Sequence, residues 1–237
     1  MINSPPVAVV AGVGPGLGAA VCRTLADADY RVAALARTTN YTSQLAEEMA
    51  SAGQQLLALP CDVTDTKAVS EAFQYVDAQL GPADVLVYNA GQLVVAPFLE
   101  IAAETFEQAW RVTCGGAMAC AQQAIARMQS QQAGTLIFTG ATASRRGGAG
   151  FAAFAAAKFA LRGMVQSLAR EFGPQGIHVA HVLIDGQIQG EAAQQRGAEP
   201  TQCLEPQAIA QAYLDLIRQH RSAWTQELDL RPDMEQF

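Results

Sequence analysis

The chain has 237 residues, half of them hydrophobic, and a formal net charge of −7; this is enough apolar mass for one large core, and a single α/β domain over residues 1–237 is expected. An acidic chain argues against nucleic acid or an anionic membrane surface as a main partner, because both select a basic face, and no uninterrupted apolar run of about 18 residues is present to span a bilayer. The five cysteines, Cys22, Cys61, Cys114, Cys120 and Cys203, are odd in number, lack a Cys-x-x-Cys pair and mostly fall in apolar stretches, the pattern of reduced thiols in a cytoplasm.

Val7-Ala-Val-Val-Ala reads as a buried strand that breaks into Gly12, Gly14, Gly16 and Gly18 and then resumes as helix. Glycine permits the tight turn and a close backbone approach, while the helix start offers N–H groups and a positive dipole end to a phosphate. Glycines also serve plain turns and close packing; the strand before and the helix after supply the nucleotide context. No Gly-Lys-Ser/Thr follows, so a P-loop is excluded. The spacing Gly12-x-x-x-Gly16-x-Gly18 resembles the cofactor loop of the short-chain dehydrogenase/reductase family, with Ala11 where that family commonly has Thr. The resemblance implies a Rossmann-like doubly wound parallel sheet of about seven strands flanked by helices. It also implies that Gly12, Gly14, Gly16, Leu17 and Gly18 contact a nicotinamide dinucleotide, and that the chain forms a homodimer or homotetramer.

Arg31 to Ala36 is a second buried strand, and it closes one βαβ unit. The end of this strand often carries an acid for the adenosine ribose hydroxyls. Here it carries Ala36 and Arg37, which suits a 2′-phosphate and leans to NADP over NAD; the alternative is that Arg37 merely starts a solvated loop. A polar helix runs from about Tyr41 to Gly53, and Leu56 to Leu59 makes a third strand leading into Cys61-Asp62-Val63-Thr64-Asp65. By resemblance, Asp62 and Val63 lie against the adenine. An Asp before a helix is also an ordinary N-cap, a role open to Thr64 or Asp65. The next helix, through Phe73 and Val76, stops at Gly81-Pro82.

A fourth strand from Asp84 ends in Asn89-Ala90-Gly91, which matches the family's segment beside the cofactor. Tyr88 replaces the Asn that commonly precedes it, and its hydroxyl needs a partner if it packs inward. A long helix is expected from about Glu104 to Gln129. Within it Thr113 stands where the family has an Asn that holds a catalytic water.

Gly134 to Thr139 is a fifth strand, and the family's two serines after it fall on Gly140 and Ala141. Ala141 has no hydroxyl to polarise a carbonyl; Thr139, Thr142 and Ser144 lie near but out of register. The family's Tyr-x-x-x-Lys pair reads Phe154-x-x-x-Lys158. In the family the Lys lowers the phenol's pKa and holds the nicotinamide ribose; Lys158 matches that position, but Phe154 has no proton to pass. The longer Tyr spacing of enoyl reductases falls on Phe151 and offers no rescue.

Ile177 to Ile184 is a sixth strand whose His178 and His181 lack neighbouring ligand groups, so no metal is expected. Asp185-Gly186-Gln187-Ile188 follows, where the family usually has Pro-Gly and a backbone contact from the Ile188 position to the nicotinamide amide. Asp185 is a new carboxylate near the expected reaction centre. A polar substrate loop spans about Gln189 to Cys203, a helix opens at Glu205-Pro206, and Trp224 to Leu230 reads as the last strand.

Three functions follow from this pattern. One is an NADP(H)-dependent oxidoreductase of this family whose ordinary carbonyl/alcohol chemistry is in doubt. The second is a non-catalytic NADP(H)-binding module that reports redox state. The third is a structural subunit that pairs with an active homologue through the two long central helices. A homo-oligomer is expected through the same two elements, where Ala117, Ala121, Ala155 and Ala156 let helices approach closely.

Overall fold

A computed structural model describes residues 4–233. Its frame is a seven-stranded parallel sheet in the order β3-β2-β1-β4-β5-β6-β7. The strands are β1 (Val7–Ala11), β2 (Arg31–Ala36), β3 (Leu56–Pro60), β4 (Val85–Tyr88), β5 (Gly134–Thr139), β6 (Ile177–Ile184) and β7 (Glu227–Leu230). Central strands are buried on both faces, which is why they read as continuous apolar runs. Register is fixed by pairs such as Val9 with Ala33 on one side and Val9 with Leu86 on the other.

Alternating side chains divide the core into two layers. Val7, Val9, Leu86 and Phe138 face α3 (Thr66–Gln79), α5 (Gly116–Gln131) and α6 (Ala152–Phe172). Ala8, Val10, Val87 and Ile137 face α1 (Leu17–Asp27), α2 (Asn40–Ser51) and α8 (Pro206–Ile217). The order reverses between β1 and β4, and a crevice opens outside the carboxyl ends of strands at such a switch point.

The structure corrects three sequence expectations. The helix expected over about Glu104 to Gln129 is split into α4 (Ala103–Trp110), a π-helical turn (Arg111–Gly115) and α5. Tyr88 explains the break, because its hydroxyl donates to the Val112 carbonyl inside that turn. Second, Ala117, Ala121 and Ala155 are buried within the chain, so they do not form an outer helix face. The outward apolar residues on α4, α5 and α6 are instead Phe106, Trp110, Met118 and Phe159. Third, β7 begins at Glu227, because the residues from Trp224 to Gln226 serve side-chain bonds to Gln219 and His178 rather than the ladder alone. The expected substrate loop contains a short helix, α7 (Glu191–Gln195), and is pinned by hydrogen bonds between Leu204 and both Gln187 and Gln189.

Candidate active site

A cleft of ≈ 1140 Å³ lies at the switch point, walled by the glycine loop, the ends of β4, β5 and β6, the start of α6 and the segment through α7. Gly12, Gly14, Gly16, Leu17, Gly18, Asn89, Ala141, Phe154 and Ile188 all stand on its wall. Gly12 adopts φ +89°, and a methyl there would fall 2.4 Å from the Ala90 nitrogen; at Gly18 one would fall 2.8 Å from the Val13 Cα. These two glycines let β4 and α1 close against the loop. Gly14 and Gly16 face open space. Gly16 caps α1 with no side chain, and among the described residues no side-chain acceptor meets the helix's first N–H groups. An open cradle with unsatisfied donors at a helix start fits a dinucleotide pyrophosphate. Asn89 holds the loop to β4 by donating from Nδ2 to the Gly12 carbonyl at 3.0 Å.

Other expected contacts lie off this wall. Arg37 is exposed at the end of β2. Asp62 accepts from the Thr64 N–H and hydroxyl at 2.9 and 2.8 Å; these bonds hold its carboxyl below the usual range, with a smaller contribution from the Arg37 charge. The cap of α3 is Asp65, which accepts from Lys67 and Ala68, so Asp62 is free of that duty. Val63 is a core residue, 7% exposed. Ala90 packs behind Gly12, and Gly91 faces the end of Lys158. Thr113 is fully buried on the π-helical turn and accepts from the Gln92 N–H at 3.4 Å.

Around the reaction centre the structure separates the three out-of-register hydroxyls. Thr139 is bonded to the Tyr213 hydroxyl at 2.8 Å in the interior. Ser144 is buried and accepts from the Ala141 N–H at 3.1 Å. Thr142 alone of these reaches the cleft wall, and its hydroxyl donates to Asp185 at 2.6 Å. The second Asp185 oxygen pairs with Arg231 at 3.5 Å, and the residue is 7% exposed. Asp185 is therefore bound on both oxygens behind the wall.

Lys158 is 4% exposed and donates to the Thr139 carbonyl at 2.7 Å, with the Phe154 ring 5.7 Å from its Nζ. Burial lowers its pKa to about 8. His178 and His181 are buried in β6, and among the described residues no group of His, Cys, Asp and Glu could hold a metal. Sequence reasoning missed the cleft residues Leu93, Val95, Arg146 and Arg196. They lie in loops, where no periodicity marks them; the Arg145-Arg146 pair was the one visible signal.

The family model for short chain dehydrogenases matches residues 6–200, and the chain belongs to that family. A short-chain dehydrogenase from Rhodopseudomonas palustris is 35% identical, with a TM-score of 0.84 over 96% of this chain and 98% of that one. A metagenomic short-chain oxidoreductase in complex with NADP is 26% identical, with a TM-score of 0.85 over 97% and 98% of the two chains. The 3-oxoacyl-(acyl-carrier-protein) reductase MabA of Mycobacterium tuberculosis is 33% identical over 180 residues, 76% of this chain and 68% of that protein. Glycine betaine reductase ATRR of Emericella nidulans is 28% identical across 97% of this chain, which spans only 19% of that protein.

Proposed function

We propose that the chain binds NADP(H) in this cleft in preference to NAD(H), and that it has lost the ordinary acid–base step by which hydride moves between ketones and secondary alcohols. The observation that carries this reading is the pair Ala141 and Phe154 on the cleft wall, two side chains with no proton to give, set before the buried Lys158. When bound, the cofactor supplies a hydride donor or acceptor at its nicotinamide ring. The glycine loop would hold the pyrophosphate on its N–H groups, Arg37 the 2′-phosphate, Asp62 and Val63 the adenine, and Asn89 to Gly91, Lys158 and Ile188 the nicotinamide half. A positioned proton donor contributes about 10²–10⁴ in rate and an oxyanion donor about 10²–10³, so the two replacements together remove most of the chemical assistance.

The same features support a non-catalytic role as a redox sensor or structural partner. The exposed Phe106, Trp110, Met118 and Phe159 favour a homo-oligomer. Among the described residues no helix is long and apolar enough to cross a membrane, and all five thiols are free, which fits a reducing cytoplasm.

Calorimetric titration with NADPH and NADH, on wild type and Arg37→Ala, tests the cofactor reading. NADPH binds more tightly than NADH in the wild type, and the substitution removes the difference. Equal affinities, or no effect of Arg37→Ala, refute the preference. Steady turnover of a broad carbonyl panel by the wild type refutes the lost acid–base step.

A further inference from the structure

We propose that the substrate end of the cleft binds an amphipathic organic anion, with a carboxylate on Arg146 and an apolar body against Phe151 and Phe154. The inference rests on reading this cleft as the dinucleotide site and adds the class of its second ligand. At ≈ 1140 Å³ the cleft is larger than the about 300–1,000 Å³ usual for one small-molecule site, so a second molecule has room beside the cofactor. Leu93 and Val95 join Phe151 and Phe154 on the cleft wall, giving the apolar part.

Apart from Lys158, which is buried behind Phe154 on the Thr139 carbonyl, the charges around this end cancel except for one. Asp185 is held by Thr142 and Arg231, and Arg145 is paired with Asp229. Arg196 donates to Gln187 and enters the cleft on the same short segment as Glu191, so that segment adds no net charge. Arg146 stands on the wall, and its side chain makes no hydrogen bond, ion pair or ring contact among the described residues. Arg146 is solvent-exposed where it lines the cleft, and in a chain of net charge −7 its guanidinium is uncommitted. A guanidinium meets a carboxylate in a two-pronged, charge-assisted contact that a neutral amide cannot match.

The test uses calorimetry on the NADPH-loaded protein with three probes of one shape: 4-phenylbutanoate, its primary amide and 4-phenylbutylamine. The carboxylate is expected to bind about tenfold or more tightly than the amide, and the amine to bind weakest. Arg146→Gln removes the preference without changing NADPH affinity, Arg146→Lys keeps a smaller one, and Arg145→Gln leaves it intact. Equal binding of carboxylate and amide, no binding of the carboxylate, or a preference that survives Arg146→Gln overturns the proposal. If acetate alone binds as tightly as the phenyl acid, the apolar body is refuted. If NADPH itself fails to bind, the cofactor reading falls separately, and the same probes on the free protein still judge Arg146, which is on the chain's own wall.

Discussion

The ammonium of Lys158 is bonded to the carbonyl of Thr139, 2.7 Å away in the interior, and not to anything in the cleft. The last residue of β5 thus holds the buried Lys158 ammonium, with the Phe154 ring beside it. Burial lowers the Lys158 pKa from 10.5 to about 8, so the folded chain sheds this proton before the unfolded chain does. Between pH 8 and 10.5 the unfolded state carries more protons, and stability attributable to Lys158 therefore rises with pH across that window. Below it the full cost of the buried charge is present.

Lys158→Met removes this dependence. Urea unfolding of the cofactor-free protein, wild type against Lys158→Met, should show the wild type gaining up to about 3 kcal/mol relative to the variant from pH 8 to 10.5. Parallel curves would show that Lys158 is solvated rather than buried.

A second prediction concerns His181 and Gly140. A methyl at Gly140 would lie 2.3 Å from Nε2 of His181, so the imidazole occupies the space that a serine at this position needs. Gly140→Ser should cost about 1–3 kcal/mol by overpacking, and His181→Val should recover much of the loss. Burial also lowers the His181 pKa from 6.5 to about 4. The unfolded chain takes up the proton first, so stability falls as pH drops from 6.5 towards 4, by up to about 3 kcal/mol. His181→Val should flatten the thermal-stability profile over that range.

The third prediction separates missing donors from a substitute acid. Phe154→Tyr with Ala141→Ser should gain NADPH oxidation on a carbonyl panel, because it returns a phenol one helical turn from Lys158 and a hydroxyl to the cleft wall. Gly140 needs no change. Asp185→Ala should leave wild-type behaviour on that panel unaltered and should lower stability by about 1–3 kcal/mol, since the Thr142 hydroxyl and Arg231 lose their shared acceptor. A wild type that already turns over, and stops on Asp185→Ala, would make Asp185 the working acid.

A fourth prediction concerns assembly. Trp110 is 43% and Met118 is 44% exposed on consecutive helical segments. Light scattering at micromolar concentration should give a dimer or tetramer, and Trp110→Glu with Met118→Glu should shift it to monomer with the thermal midpoint of the subunit fold otherwise retained. A monomeric wild type would contradict this.

The sheet was legible because both faces of its central strands are buried, which writes them as apolar runs such as Ile177 to Ile184, broken by glycine and proline. The glycine loop was legible because close approach at Gly12 and Gly18 tolerates no other side chain. The break at Arg111–Gly115 was not: Val112, Thr113, Cys114 and two glycines carry too little contrast for a change of helical period to appear. The need of Tyr88 for a partner could be read, but a carbonyl 24 residues onward could not. Small residues such as Ala117 read equally well as an outer seam or an inner one, and the sheet claimed them. Arg146 and the apolar loop residues Leu93 and Val95 reach the wall of one cleft through tertiary structure alone.

The π-helical turn has a consequence for the phase of the polypeptide. Each residue advances an α-helix by about 100°. The turn takes in more backbone than regular α-helical bonding would, and it lets one continuous rod answer to two neighbours: α4 lies on α6, whereas α5 lies on α3 and on β4 and β5. Deleting a single residue from Arg111–Gly115 would therefore let the stretch close as regular α-helix with Ala117, Cys120, Ala121 and Ala124 still facing the core, at the expense of the Val112 carbonyl that Tyr88 reaches. A lineage could lose or regain this turn by one residue without repacking the helices on either side of it.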